Sequence, residues 1–442
     1  MKLNKNQQRA VETDKNKVIV VAAAGSGKTR VITERLKYLL SDQGVDAASI
    51  VAITFTNLAA EEMRERLVGV PNINESFIGT IHSFANRIMR DSGERYQLYT
   101  KELNLKYHQY LIALYCKHLS IEKYNTYMSI VDDIEKCKAP EDALVGFLTE
   151  DEKAELRILH RSAEQVDKDN KEYKKGNTNR LPPDSIDTLC RKNYVITFDE
   201  LIQKATEYFK SINASIEYLL VDEFQDIGTL EYRFFEGLNA NHTFYVGDDY
   251  QAIYGFKGGN VEIFKKLIHD PKYTTYYLTE NYRNASEILD LADTVIKQVP
   301  DRINKDVVGV SKDTGSISFR NPKDIEMFLK SIPTSEYGKY FFLTRSNKDL
   351  YDVAVKTCDR LKIPYILFKR EGLNLKDLRS QMDSNAIKIM TVHVSKGLES
   401  DNVIMYGRFP RYKPSWMQDV EERRVMYVGV TRARYNLTIF SK

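Results

Sequence analysis

The chain has 442 residues, enough for about two to four domains, and its 65 basic residues nearly cancel its 62 acidic ones to leave a formal net charge of +3. That balance excludes a globally basic surface, so a polyanionic partner must be held in a local groove. A hydrophobic content of 42% excludes general disorder, and the four scattered cysteines exclude a zinc ribbon, an iron–sulfur cluster or a disulfide framework.

The first eight residues are polar and lack the apolar core of a signal peptide, and no apolar run reaches the length of a membrane span. With cysteines that read as reduced, buried thiols, these features predict a soluble cytoplasmic protein without membrane contact. The apolar run at 18–22 predicts a strand, and Val31, Ile32, Leu36, Leu39 and Leu40 at helical spacing predict a helix soon after it. Between them lie Ala22, Ala23, Ala24, Gly25, Ser26, Gly27, Lys28 and Thr29, followed by Arg30. A Gly-Lys-Thr closing such a loop between strand and helix is the P-loop pattern. Unsatisfied backbone N–H groups at the helix start suit a phosphate, and the two glycines let the backbone wrap around it. Lys28 then neutralises the β- and γ-phosphates, and Thr29 offers a hydroxyl to Mg²⁺. The pattern usually opens with Gly, where this chain has Ala22.

A second strand is predicted at 50–55 and a helix at 58–67. From 91 to 193 buried-strand runs disappear, and Leu, Tyr, Lys and Glu dominate, which reads as a helical insertion. Within it, 167–183 is strongly polar and reads as a loop or linker, with a phosphate-contacting surface as the alternative. Strand patterns resume at 216–221 and 243–247, and a further series follows at 276–278, 317–319, 340–344, 365–368, 387–391, 403–405 and 437–440. Strands alternating with helical segments predict parallel α/β architecture in two units flanking the insertion. Asp222 and Glu223 end the apolar run at 219–221. Behind a P-loop, such a pair supplies a carboxylate for Mg²⁺ and a general base for water.

Asp222-Glu-Phe-Gln-Asp226, the segment 246–255 with Gln251, Glu280-Asn-Tyr-Arg283 and the segment 421–433 with Arg432 follow one another in an order that resembles superfamily 1 helicases of the UvrD/Rep/PcrA group. The resemblance extends from Leu3 to Leu437. It implies two RecA-like parallel-sheet P-loop motor domains with a helical insertion in the first: domain 1A at 1–90 and 194–278, insertion 1B at 91–193, and domain 2A at 279–442. It implies ATP and Mg²⁺ as cofactors, with Gln7 reading the adenine edge, Tyr282 stacking on the base and Glu399 contacting the ribose. Asp222 serves the metal with Thr29. Lys28, Glu223, the γ-phosphate sensor Gln251 and the two arginines Arg283 and Arg432 carry catalysis.

The same resemblance implies a single-stranded DNA track. Phe55, Thr56 and Asn57 belong to it, with His82, Ser83, Tyr254, Phe256, Arg345, Thr391 and His393. Aromatic platforms beside a polar backbone track bind single strands without regard to sequence. The implied activity is an ATP-dependent DNA helicase moving 3′-to-5′ on single strands and at single–double-strand junctions, in DNA repair. The alternative is a translocase, or an ATP-gated subunit whose protein partner supplies regulation or a nuclease. The chain departs from the group at Leu58, where Lys is usual, and at Phe256-Lys257, where Trp-Arg is usual. Only about 45 residues separate Arg345 from Thr391, too few for the group's 2B subdomain. The chain also stops soon after the Arg432 motif. Together these features predict a compact motor, either constitutively active or controlled in trans.

Overall fold

The computed structural model describes residues 2–98, 112–113, 116–135, 141–159, 195–369, 374–407 and 418–441. The polar segment at 167–183 lies outside the described residues. The chain divides into two compact units, one of 1–85 with 206–442 and one of 86–205.

In the larger unit α1 (Lys5–Val11) leads into β1 (Lys17–Ala22), α2 (Lys28–Lys37), β2 (Ile50–Thr54), α3 (Asn57–Arg66), β3 (Phe77–Thr80) and α4 (Ile81–Asp91), whose last turns enter the smaller unit. Among its described residues the smaller unit has a short parallel pair, β4 (Gln97–Leu98) and β5 (Val195–Ile196), and a helix at Ile121–Glu135. Its core gathers Ile112, Leu119, Tyr124, Leu148, Leu156 and Leu159. The Glu155 carboxylate accepts the backbone N–H groups of Lys117 (2.8 Å), His118 (3.0 Å) and Leu119 (2.9 Å).

The chain returns to the first sheet with β6 (Tyr218–Val221), β7 (His242–Gly247) and β8 (Thr274–Leu278), giving the all-parallel order β3-β2-β6-β7-β1-β8. The near-continuous apolar runs of β1 and β2 reflect burial on both faces, as parallel sheets require. Val21 pairs with Gly247 and Val221 with Tyr245, so the segments after β1, β6 and β7 leave the sheet at one carboxyl edge. Ligands of open α/β sheets bind at that edge.

β9 (Glu280–Asn281) pairs with β10 (Val308–Gly309). The second sheet then takes β11 (Ser316–Arg320), β12 (Tyr340–Thr344), β13 (Tyr365–Leu367), β14 (Ile387–Thr391), β15 (Ser400–Gly407) and β16 (Ala433–Ser441) in the parallel order β11-β16-β15-β12-β14-β13. The architecture is thus two parallel-sheet α/β layers, the RecA-like arrangement that the resemblance implies. One apolar cluster joins them: Ala24, Tyr250 and Ile253 pack with Ile288, Val392 and Val428. No described helix is long and apolar enough to cross a membrane. Among the described residues Cys116 and Cys358 are free thiols, and burial pushes that of Cys358 up to about 12.

β14 and β15 are not neighbours, because β12 lies between them. The connection at 392–399 therefore travels from the carboxyl edge of the second sheet to its amino edge without a full helix, and this path positions much of the site.

Candidate functional site

A cavity of about 520 Å³ opens in the larger unit, walled by Gly25 to Arg30, the segment after β2, the acids after β6, and groups from the second sheet. Gly27, in the left-handed region at φ 83°, caps the start of α2. Gly25, at φ 65°, has no room for a side chain: an added Cβ would lie 2.8 Å from Arg283 Cβ and 2.9 Å from Asn281 Nδ2. Ala22 and Ala24 act through their carbonyls, which accept from Lys305 Nζ (3.0 Å) and Asn281 Nδ2 (2.7 Å).

Asn4 and Gln7 form a reciprocal capping box at the start of α1, and Gln7 Nε2 donates to Ser26 O at 3.0 Å. The Gln7 amide thus braces the P-loop within the chain itself. Asn4 Nδ2 also donates to the Tyr282 hydroxyl (2.8 Å), which in turn donates to Glu280 Oε2 (2.9 Å). Tyr282 N donates to Gly25 O at 3.0 Å. Gln7 and Tyr282, both predicted to contact the base, therefore bond to adjacent carbonyls of the phosphate loop, Ser26 O and Gly25 O.

Asp222 and Glu223 leave β6 at the cavity wall. Glu223 adopts the left-handed conformation at φ 53°, a strained geometry that non-glycine residues keep only when their surroundings enforce it. Gln225 supplies part of that enforcement, donating to Glu223 Oε2 (2.5 Å) while its Oε1 accepts Asp248 N (2.8 Å). Burial acts on Glu223 most strongly and would raise it, but Lys28 and Lys396 outweigh burial and hold its carboxyl low. Asp222 moves the other way: burial and the adjacent Glu223 charge push it up. A carboxyl raised in this manner is short of positive charge. Thr29 and Asp222 line the same cavity, and their hard oxygen donors are the type Mg²⁺ takes. The residues present fit the ion.

Positive charge is in excess on the facing wall. Arg432 is fully buried, donating to Val428 O (2.9 Å), Leu398 O (3.0 Å) and Gln251 Oε1 (3.4 Å). Burial and the nearby Arg283 guanidinium lower its pKa. Arg283 is paired with Glu399 (2.5 Å), so both residues predicted to touch nucleotide are engaged with each other. With the Arg283 guanidinium beside the buried Arg432, opposite a P-loop, the site is one in which an anion relieves repulsion.

The predicted aromatics also converge. Phe55 stacks on Tyr254 with centroids 5.1 Å apart, Tyr254 neighbours Phe256 at 6.1 Å, and Phe256 meets His393 edge-on at 5.5 Å. The Tyr254 hydroxyl donates to His393 O at 3.2 Å. Phe256 is 64% exposed, a large apolar ring open to solvent. Thr56 caps α3 through Ala59 N (3.2 Å), and Asn57 opens that helix. The Arg345 fork is held bidentately by Glu422. Ser83 shares a hydrogen bond with the Thr80 hydroxyl (2.8 Å) at the start of α4, and neither His82 nor Ser83 lines the cavity. Arg345 and Thr391 stand at the carboxyl ends of β12 and β14, whereas Glu399 and Arg432 precede β15 and β16 at the opposite edge.

Two lysines escaped sequence reasoning. Lys396 is buried in the 392–399 connection. It pairs with Asp226, lies 3.6 Å from Glu223 Oε2, donates to Gln251 O (2.9 Å) and sits 5.3 Å from the Tyr254 ring centre. Lys305 is buried against Asp248 and Asp249. The only sequence signal for Lys396 was its place in the motif ending at Glu399. Lys305 carried none.

The model of the UvrD/REP helicase N-terminal domain matches residues 3–272, and that of the UvrD-like helicase C-terminal domain matches residues 366–442. A probable DNA helicase of Mycoplasma pneumoniae is 29% identical over 99% of this chain and 83% of its own length. The ATP-dependent DNA helicase Rep of Buchnera aphidicola is 28% identical over 83% of this chain and 55% of its own. DNA helicase II of Escherichia coli is 28% identical over 69% and 41% respectively. The chain thus spans most of the mycoplasma protein but little more than half, or less, of the other two.

Proposed function

Because the chain belongs to the UvrD/Rep helicase family, we propose that it is an ATP-driven motor that moves 3′-to-5′ along single-stranded DNA and couples hydrolysis to duplex unwinding. In this reading 1–90 with 194–278 form motor domain 1A, 91–193 form 1B and 279–442 form 2A. Lys28 and the P-loop backbone hold the triphosphate, and Glu223, kept ionised by Lys28 and Lys396, accepts the proton of the attacking water. Gln7, Tyr282 and Glu399 hold the nucleoside. Mg²⁺, held by Thr29 and Asp222, would neutralise charge on the β- and γ-phosphates. Arg283 exchanges Glu399 for phosphate when nucleotide arrives, and Arg432 contributes its charge through the same closure.

The observation that supports coupling is the 392–399 connection. Its start, His393, packs on Tyr254 and Phe256; its middle, Lys396, contacts Asp226 and Glu223; its end, Glu399, holds Arg283. A strand moving over the aromatics therefore pulls on the same connection whose Lys396 contacts the general base. Phe55, Thr56, Asn57, His82, Ser83, Arg345 and Thr391 extend the proposed track, and the proposed location is cytoplasmic.

The deciding measurement is ATP turnover with and without single-stranded DNA, in wild type and Lys28→Ala. Stimulation by DNA that Lys28→Ala abolishes is expected, and turnover indifferent to DNA would sink the motor. Opening of a 3′-tailed but not a 5′-tailed or blunt duplex tests polarity, and an RNA strand tests substrate class. A second reading is favoured by the short chain between β12 and β14, whose described residues form β13 and short helices. It is a translocase or ATP-gated subunit that unwinds little alone and relies on a protein partner for regulation or nuclease action. DNA-stimulated turnover without unwinding selects it.

A further inference from the structure

Lys305 lies between the helix Ser286–Ile296 and β10, far along the chain from the phosphate loop, yet its side chain is fully buried against it. Its ammonium donates to Ala22 O (3.0 Å), contacts Asp248 Oδ1 (2.5 Å) and Asp249 Oδ1 (2.7 Å), and sits 4.0 Å from the Tyr250 ring centre. The backbone beside it is fixed to the same segment: Ile303 N donates to Asp249 Oδ2 (2.9 Å), and the Tyr250 hydroxyl donates to Ile303 O (2.7 Å). A buried ammonium is tolerated only where anions and acceptors surround it, so this lysine and these two aspartates are stable as a set.

Asp248 is the informative member. Its side chain is fully buried, and its two oxygens face different partners. Oδ1 meets Lys305, while Oδ2 accepts Gln251 Nε2 (2.6 Å) and stands 3.9 Å from Lys28 Nζ. One carboxylate is thus shared between two ammonium groups, with Lys305 close and Lys28 at the limit of an ion pair. Among the described residues no third cation is within ion-pair distance of Asp248.

We propose that Lys305 is a positioning residue for the phosphate-binding ammonium: by neutralising Asp248 it keeps that carboxylate from capturing Lys28. This rests on the reading of Lys28 as the phosphate ligand. Coulomb attraction between buried groups grows steeply as distance falls. If Lys305 is removed, Asp248 retains its burial and loses its near counter-charge, and Lys28 is the group left to satisfy it. A Lys28 drawn onto Asp248 is withdrawn from an incoming triphosphate. The hydrogen bond from Lys305 to Ala22 O adds to the effect by fixing the residue at which the loop begins.

The test is nucleotide affinity of the full chain, read with a fluorescent ATP analogue beside thermal unfolding, for Lys305→Met, Asp248→Asn, their combination, and Lys28→Ala. Lys305→Met is expected to weaken binding about tenfold or more, since a new contact at the Lys28 ammonium competes with phosphate. Asp248→Asn leaves Lys305 with Asp249 and Ala22 O and removes the competitor, so affinity is unchanged or tighter. The combination recovers affinity to within about threefold of wild type. Unchanged affinity in a folded Lys305→Met, or equal weakening in Lys305→Met and Asp248→Asn, overturns the proposal. If Lys305→Met does not fold, weakened binding by Asp248→Asn alone still overturns it. Undiminished binding by Lys28→Ala would instead remove the phosphate-site reading beneath it, so the two failures are distinguishable.

Discussion

Lys396→Met should separate folding from DNA coupling. The substitution keeps the apolar stem but deletes an ammonium that pairs with Asp226, stands 3.6 Å from Glu223 Oε2 and donates to Gln251 O at 2.9 Å. Removing one partner of a buried pair leaves an uncompensated charge and costs about 3–5 kcal/mol. Loss of the contact with the Tyr254 ring adds about 0.5–2 kcal/mol. Thermal unfolding should therefore fall by many degrees in the single variant. Adding Asp226→Asn removes the orphaned anion and should recover most of the loss. Activity should not follow, because nothing then links Tyr254 to Glu223. The assay is the ratio of ATP turnover with saturating single-stranded DNA to turnover without it. In the stabilised double variant that ratio should approach one, with basal turnover lowered but measurable because Glu223 keeps Lys28. A wild-type ratio would refute the claim that the 392–399 connection carries the signal.

Gly25→Ala forces a Cβ to within 2.8 Å of Arg283 Cβ at a φ of 65°. Left-handed strain of about 1–2 kcal/mol and overpacking of about 1–3 kcal/mol should abolish tight nucleotide binding in a chain that remains folded, and a wild-type dissociation constant would count against the crowding. Phe256→Ala removes an exposed ring and should cost about 1–3 kcal/mol of single-strand affinity, measured by fluorescence anisotropy, with KM for ATP unchanged. Equal DNA affinity would take Phe256 off the proposed track. Asp226 holds its proton at about 6 in the folded chain against an ordinary 3.8, because burial outweighs the pull of Lys396. Between those values the folded chain binds more protons than the unfolded one, so this group's contribution to stability declines as pH rises through the window. Asp226→Asn should flatten that part of the melting-temperature profile, and an unaltered profile would place the titration elsewhere.

The phosphate loop was legible in the sequence because its chemistry is local. Gly25 and Gly27 fix a left-handed path, the apolar run before them is buried on both faces, and the helix after them leaves its first N–H groups free for an anion. The parallel α/β class was legible for a similar reason, since strand and helix periods can be read over a few residues. The 392–399 connection was not, because its path depends on β12 lying between β14 and β15. Nor were the partners of the charged groups. A lysine in a sequence reads as solvated: nothing local distinguishes the buried Lys305 from the many lysines that are exposed, and the motif around Lys396 does not show that its ammonium is buried. Likewise Arg345 engages Glu422, Arg283 engages Glu399, and Phe55 finds Tyr254 only once two distant segments have folded together. Short-range spacing determines which backbone can hold a phosphate. Burial, which decides which charges must pair and with whom, is set by contacts between segments tens to hundreds of residues apart, and only the tertiary structure supplies them.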